Sequence, residues 1–459
     1  MRRSVFADRR PGFVAGRRLA ERLSCGRMRA SAKRAHLVAS AVAMVCIALA
    51  LFMAEGCTGP ATPARFPAAG GSCSAQPPGC GTAQGAAPNL AESTWSAAAA
   101  PPLSSRLSQA SVWTGTELLI WGGLQMGQEF TPADDGAAYD PATGSWTPMP
   151  ASPLSPRDGT FAVWTGHQAL FWGGGNGSPT PLMDGASYDP ASRTWTPMPA
   201  SPLQADADGR LTVVWTGAQM VVIEPEGSAA FDPATNAWTS VPTLPTVAGW
   251  QPYAVRAEWT GGAVVTWVAA RPPAVNGSEP GGYHFSAYWW TPGSNSWTPV
   301  PEAPDNGSFP FGTAASVNGR LLFLGGYACP PGVSCPAGYY GAAWFEPVSG
   351  TWSSLPDGFS GGAGPAVWTG SAMVVFATRA GADTGPPSTQ PVRPRDRIQT
   401  GMAAAFAPAT GTWTNLAPCP LTDLTSATLA WTGQQLIVVA MNGDTGAAPQ
   451  TQVLSRAVG

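Results

Sequence analysis

Val112-Trp113-Thr114-Gly115, then Leu118-Leu119-Ile120-Trp121-Gly122-Gly123, then Tyr139-Asp140-Pro141-Ala142-Thr143-Gly144-Ser145-Trp146 form one stretch that recurs along the chain. A second copy reads Val163-Trp164-Thr165-Gly166, Ala169 to Gly174, and Tyr188-Asp189-Pro190-Ala191-Ser192-Arg193-Thr194-Trp195. Later copies carry Trp215, Trp259, Trp368 and Trp431 before Thr-Gly, and their second Trp falls at Trp238, Trp297, Trp352 and Trp413. A repeat of about 50 residues overrides any domain count taken from length, because one closed array can absorb most of the chain.

Each copy reads as four short strands. The first ends at Trp-Thr-Gly, or at Val317-Asn318-Gly319 in the fifth copy. Asn-Gly between apolar runs signals a two-residue hairpin, so Thr-Gly is expected to turn the chain in the same place. The second strand is apolar on both faces, as in Leu321-Leu322-Phe323-Leu324, which suits burial on both sides. Gly-Gly follows and lets the backbone bend. The third strand ends in an aromatic before Asp-Pro, where the Asp carboxylate is expected to hold the next turn and Pro presets its backbone. The fourth opens with Trp and stops at a Pro cluster such as Pro148-Met149-Pro150.

Gly-Gly, aromatic-Asp-Pro and the Trp that follows resemble kelch repeats, and the resemblance covers residues 89–459. It implies an all-β fold, a β-propeller with one four-stranded blade per repeat. The third copy departs from the pattern, with Ile223-Glu224-Pro225 where Gly-Gly is expected. Glu346-Pro347, Ala407-Pro408 and Thr291-Pro292 replace Asp-Pro in other copies. Six complete copies are followed by a seventh that begins at Leu429 and has no closing Trp strand. Ser93-Thr94-Trp95-Ser96 carries that missing motif ahead of the first copy. A seven-bladed propeller of kelch-type blades, closed by an N-terminal strand, is therefore expected. Closure would remove the open sheet edges.

Ahead of the repeats the composition shifts. Residues 1–56 hold 11 Lys/Arg and 3 Asp/Glu, and residues 57–459 hold 13 and 24. An acidic folded part argues against nucleic acid as a partner. Residues 1–36 form a basic leader, and residues 37–56 a signal or membrane-anchor segment, uncharged from Leu37 to Ala54. Ala54-Glu55-Gly56-Cys57 resembles a bacterial lipoprotein cleavage box, which would make Cys57 the lipid-bearing residue; an uncleaved anchor is the alternative. Residues 57–88, rich in Ala, Gly and Pro, read as a tether. The expected location is extracytoplasmic, attached to the cell membrane by an N-terminal lipid or a single helix. Cys329 and Cys335 are a candidate disulfide in such a compartment.

On alternating strands, the turns after strands one and three share one face, and the loops after strands two and four share the other. The first set is short and uniform, while the second varies in length, so function is expected there. The longest such loop carries Arg393, Arg395 and Arg397, the one basic cluster of an acidic domain, suited to an anionic glycan or acidic partner. Trp250, Tyr253, Tyr339 and Tyr340 are aromatic loop residues suited to a sugar or peptide. The expectation is a monomeric binding or scaffold protein with a glycan or protein partner, no cofactor, no metal and no assigned catalytic residue. The membrane would be engaged through the N-terminal segment only.

A copper-radical oxidase of the galactose oxidase type, or another carbohydrate-acting enzyme, is the alternative. Such oxidases resemble this chain in their kelch-like blades. That resemblance implies two Tyr and two His as ligands and a Tyr-Cys cross-link. Tyr283-His284 is similar to the family's adjacent ligand pair, but His167 lies in a short turn on the opposite face.

Overall fold

The computed structural model describes residues 90–127, 129–178, 180–204, 210–273, 284–301, 313–324, 342–347, 349–354, 363–377, 403–421, 424, 427–441 and 447–456. The leader, the apolar segment and the tether, with Cys57, lie outside them. Among the described residues no helix is long and apolar enough to cross a membrane.

The described residues form an all-β, propeller-like fold built from four-stranded antiparallel sheets. Sheet I contains Ala110–Trp113, Leu118–Trp121, Gly136–Asp140 and Ser145–Pro148; sheet II contains Phe161–Trp164, Ala169–Trp172, Gly185–Asp189 and Thr194–Pro197. Sheet III contains Thr212–Trp215, Met220–Ile223, Ser228–Asp232 and Ala237–Val241; sheet IV contains Gln251–Trp259, Val264–Arg271, His284–Trp290 and Thr298–Pro299. Sheet V contains Thr313–Val317, Arg320–Leu324, Ala342–Glu346 and Thr351–Ser354; sheet VI contains Ala363–Trp368, Met373–Ala377, Ala403–Ala407 and Thr412–Asn415. Sheet VII joins Ala427–Trp431, Leu436–Ala440 and Gln450–Arg456 to Ser93–Ala98 from the start of the repeats. There Trp95 pairs with Leu454 as Trp146 pairs with Tyr139 in sheet I.

The second strands are apolar throughout because each sheet lies between two others. Leu118, Leu119, Ile120 and Trp121 alternate between two hydrophobic clusters, and all four are buried. Each cluster is an interface between successive sheets, and one of them joins sheet VII to sheet I through Ile437, Val439, Leu118 and Ile120. Burying one such side chain stabilises the fold by about 1.5–3 kcal/mol. The first strands touch one another in the same succession, including Ala427–Trp431 of sheet VII against Ala110–Trp113 of sheet I.

The second Trp of each copy clamps neighbouring sheets. Its ring lies on the aromatic of its own third strand, 5.1 Å for Tyr139–Trp146 and 4.9 Å for Tyr188–Trp195. In five copies its indole N–H also reaches the preceding sheet's exit, as from Trp195 to the Pro150 carbonyl at 3.0 Å and from Trp297 to Pro242 at 2.7 Å. Trp95 does the same to Ala417 at 2.8 Å.

The turns follow their residues, with one difference. Asp140, Asp189 and Asp232 each accept the amide two residues on, at 2.8–2.9 Å. In the first hairpins the loop residues are Gly115 and Thr116, one position later than Asn318-Gly319 would suggest. The Thr114 amide donates to the Glu117 carbonyl, and the Thr114 hydroxyl, not its carbonyl, accepts the Glu117 amide. Gly is therefore first in that loop, with φ 97°, whereas Asn318 and Gly319 are both left-handed.

Candidate functional site

The face bearing the loops after strands two and four is not uniform. In sheets I and II it is locked by two equivalent ion pairs. Arg106 is wholly buried ahead of sheet I; its Nη1 donates to Asp135 Oδ1 at 2.7 Å and its Nη2 to Asp135 Oδ2 at 3.1 Å. It also donates to the Gly122 and Ser104 carbonyls and the Ser104 hydroxyl. Arg157 repeats the arrangement with Asp184, Gly173 and Ser155. The Arg157 guanidinium holds the Asp184 carboxyl below its usual range, chiefly by hydrogen bonding. Gly-Gly has a specific task here: the Gly123 amide donates to the Arg157 carbonyl, and a Cβ on Gly123 would stand 2.8 Å from the Leu107 carbonyl. These bonds order the loops and leave the guanidinium groups nothing for a ligand.

Sheet IV behaves differently. Its first three strands span 9, 8 and 7 residues, against 4, 4 and 5 in sheet I. At the turn end the registers match, Trp259 to Val264 and Trp113 to Leu118. The surplus therefore projects at the loop end, by about 13 Å at the usual rise per residue. Beside it, sheet III closes its middle hairpin over Glu224 to Gly227 alone, with Glu224-Pro225 in place of Gly-Gly. The projecting ribbon thus stands next to the shortest connection on this face among the described residues.

The ribbon tip assembles chemistry suited to a polar ligand. The Trp250 indole faces the His284 imidazole, centroids 5.5 Å apart. Gln251 is exposed beside them, and Arg210 from the approach to sheet III donates to the Pro252 carbonyl at 2.7 Å. The register shifts between Pro252 and Ala254, making Tyr253 the extra residue of a bulge. Bulges twist a strand and re-aim its side chains beside functional sites.

Of the residues singled out from sequence, Trp250 and the backbone of Tyr253 lie in this ribbon. Arg393, Arg395, Arg397, Tyr339, Tyr340, Cys329 and Cys335 lie outside the described residues. Cys419 is a buried free thiol whose pKa burial pushes up to about 11. Sequence reading missed both buried arginines and their acids. The signal was the paired Ser104-Ser105-Arg106 and Ser155-Pro156-Arg157, with Asp135-Gly136 and Asp184-Gly185 downstream. It also passed over Arg256 and Glu258, the only charges in the first strands.

No protein-family model matches this chain, and no curated protein matches it. Among solved structures, it is similar to a fungal alcohol oxidase described as having catalytic diversity among the AA5 family, in complex with copper. The two are 16% identical, with 79% of this chain and 76% of that chain covered and a TM-score of 0.50. At that identity the likeness speaks for the propeller-like, kelch-type fold alone.

The described residues do not fit a copper centre of that kind. Among them no group of three or more His, Cys, Asp or Glu side chains is placed to hold a metal ion. His167 sits in the first turn of sheet II, against the Thr165 hydroxyl at 3.3 Å. His284 opens the third strand of sheet IV at the loop end, beside Trp250. The two imidazoles thus belong to opposite faces.

Proposed function

We propose that the chain is a seven-bladed propeller closed by its N-terminal strand, working outside the cytoplasm as a binding protein for a glycan or a protein. The pairing of Ser93–Ala98 with Gln450–Arg456 and the Trp95 clamp support the closure. The binding reading rests on the ribbon of sheet IV, where Trp250 and His284 form a half-buried ring pair on strands that outgrow their neighbours. An aromatic face with polar neighbours takes the C–H face of a sugar ring while its hydroxyls find hydrogen-bond partners. Arg393, Arg395 and Arg397 would add anionic specificity, and Cys57 would carry the lipid that anchors the chain.

Glycan and peptide arrays probed with the wild type, Trp250→Ala, His284→Ala and the Arg393→Ala/Arg395→Ala pair test the reading. Binding lost in the first two variants supports the ribbon; binding equal in all four removes both ribbon and basic loop from the account. Labelling of Cys57 by a lipid precursor tests the anchor, and absence of label favours an uncleaved helix.

The second reading, a copper-radical or other carbohydrate-acting enzyme, is favoured by the structural likeness to a copper alcohol oxidase and opposed by the placement of the two histidines. Copper loading followed by metal analysis, together with a hydrogen peroxide assay on sugar alcohols, decides it. Stoichiometric copper and peroxide release would replace the first reading; a blank in both would remove the oxidase.

A further inference from the structure

Asn-Gly occurs five times in the sequence, and two of those pairs, Asn176-Gly177 and Asn318-Gly319, lie among the described residues. They are held in opposite ways. Asn318-Gly319 is the whole loop of a tight hairpin, both residues left-handed, with Val317 and Arg320 paired on either side. Asn176-Gly177 lies in the connection between Ala169–Trp172 and Gly185–Asp189 of sheet II, on the face that carries the variable loops.

That connection is anchored just ahead of Asn176. The Asp158 amide donates to the Gly175 carbonyl at 2.9 Å, and the Gly175 amide donates back to the Asp158 carbonyl at 2.8 Å. The Leu182 amide donates to the Gly174 carbonyl at 2.8 Å and closes the other side. Beyond the anchor Asn176, Gly177 and Ser178 are exposed. The Ser178 amide donates to Asn176 Oδ1 at 3.0 Å. A side chain whose Oδ1 reaches the second amide along is folded back over the first, which brings its Cγ beside the Gly177 nitrogen. Among the described residues the Gly177 amide has no acceptor. Its φ is 81°, and a Cβ there would meet nothing within 4 Å. The nitrogen is therefore open, with water at hand to take its proton.

We infer that Asn176-Gly177 is a self-modification site, at which the loop face gains a carboxylate with time and without an enzyme. The Gly177 nitrogen attacks Asn176 Cγ, and a new N–Cγ bond forms. The carbonyl electron pair moves onto Oδ1, where the Ser178 amide already donates, as a donor in an oxyanion hole does. The pair returns, the Cγ–Nδ2 bond breaks, and Nδ2 leaves as ammonia, carrying the proton that the Gly177 nitrogen has lost through water. One water then opens the cyclic imide at either carbonyl, giving aspartate or isoaspartate at position 176. Isoaspartate routes the backbone through the former side chain and lengthens the loop by a methylene. Reacting groups held side by side gain rate without further input. At Asn318 that gain is missing: hairpin pairing fixes both residues, and among the described residues no amide donates to its Oδ1.

Incubation of the full chain at mildly alkaline pH, folded and in urea, with peptide mapping by mass spectrometry and isoaspartyl methyltransferase labelling, tests the site. In the folded chain the Asn176 amide is expected to be lost at least about tenfold faster than the Asn318 amide. Asn176 should react no more slowly folded than in urea, whereas folding should slow Asn318. Gly177→Ala is expected to slow the loss at Asn176 by about tenfold or more and to leave Asn318 unchanged, because a Cβ then crowds the attacking nitrogen. Equal rates at the two residues in the folded chain, slower loss at Asn176 folded than in urea, or conversion without isoaspartate overturns the inference. Circular dichroism establishes whether Gly177→Ala folds, and where it does not, the wild-type comparison decides alone.

Discussion

The Trp95 indole donates to the Ala417 carbonyl at 2.8 Å across 322 residues of chain. It also stands 6.2 Å from the Phe376 ring, so the first strand of the repeats is held by sheet VI as well as by its own partners in sheet VII. Trp95→Phe keeps the packing and loses the hydrogen bond, at an expected cost of about 1 kcal/mol. Trp95→Ala opens the clamp and is expected to cost about 3 kcal/mol. Urea unfolding midpoints measure both; a Trp95→Phe midpoint equal to that of the wild type would remove the hydrogen bond from the account, and equal midpoints for the two variants would remove the packing.

Asp184→Ala leaves the buried Arg157 guanidinium with only neutral acceptors. The expected loss is about 2 kcal/mol, below the range for fully enclosed pairs because the Asp184 side chain is 58% exposed. Asp184→Asn retains an acceptor and should lose less. The wild-type pair should also weaken in acid: the folded carboxyl titrates below its unfolded value, so its contribution is present above the ordinary carboxylate range and lost as pH falls through the folded value. Chemical denaturation from neutral to acid pH, on both variants, checks the order and the sign.

Glu258 gives the opposite slope. Its folded carboxyl is raised from 4.5 to about 8 by burial. Between those values the folded chain keeps a proton that the unfolded chain has released, so stability should fall as pH rises and level off above about 8. Glu258→Gln should flatten that segment of the curve. Unfolding midpoints measured across the window decide, and a wild-type curve with no downward slope there contradicts the assignment.

Two glycines with left-handed backbone should respond very differently to alanine. At Gly174, φ 99°, a Cβ would lie 2.5 Å from the Asp158 carbonyl, and the expected cost is about 3 kcal/mol. At Gly144, φ 66°, nothing lies within 4 Å, and only the backbone term remains, about 1 kcal/mol. Thermal melts of Gly174→Ala and Gly144→Ala rank the two.

The turn residues were legible because their chemistry is local. Asp140, Asp189 and Asp232 act on amides two residues away, and Trp195 acts on a ring seven residues away in its own hairpin. Trp95 was legible for a different reason: its motif lacked the preceding strands that every other copy has. The Arg106–Asp135 and Arg157–Asp184 pairs were not seen, since 29 and 27 residues separate the partners and no local period links them. The length of sheet IV was hidden as well. Gln251 to Arg256 alternates too weakly to announce a strand, and it is the pairing with Val264–Arg271 that extends it. For the site, Trp250 was expected as a loop-face aromatic and lies just ahead of the first strand of sheet IV; its partner His284 was weighed only as a metal ligand, and contact with an indole cannot be read from sequence.

The composition of sheet VII has a kinetic consequence. Ser96 and Val453, hydrogen-bonded there, are 357 residues apart. A chain made from its N-terminus onward holds Ser93–Ala98 as an unpaired edge until Gln450–Arg456 has been made. Pairing of such sequence separation is slow, and exposed edges recruit other chains meanwhile. Premature termination anywhere before Gln450 therefore yields a product with an edge strand ready to aggregate, not merely a shorter version of the same protein.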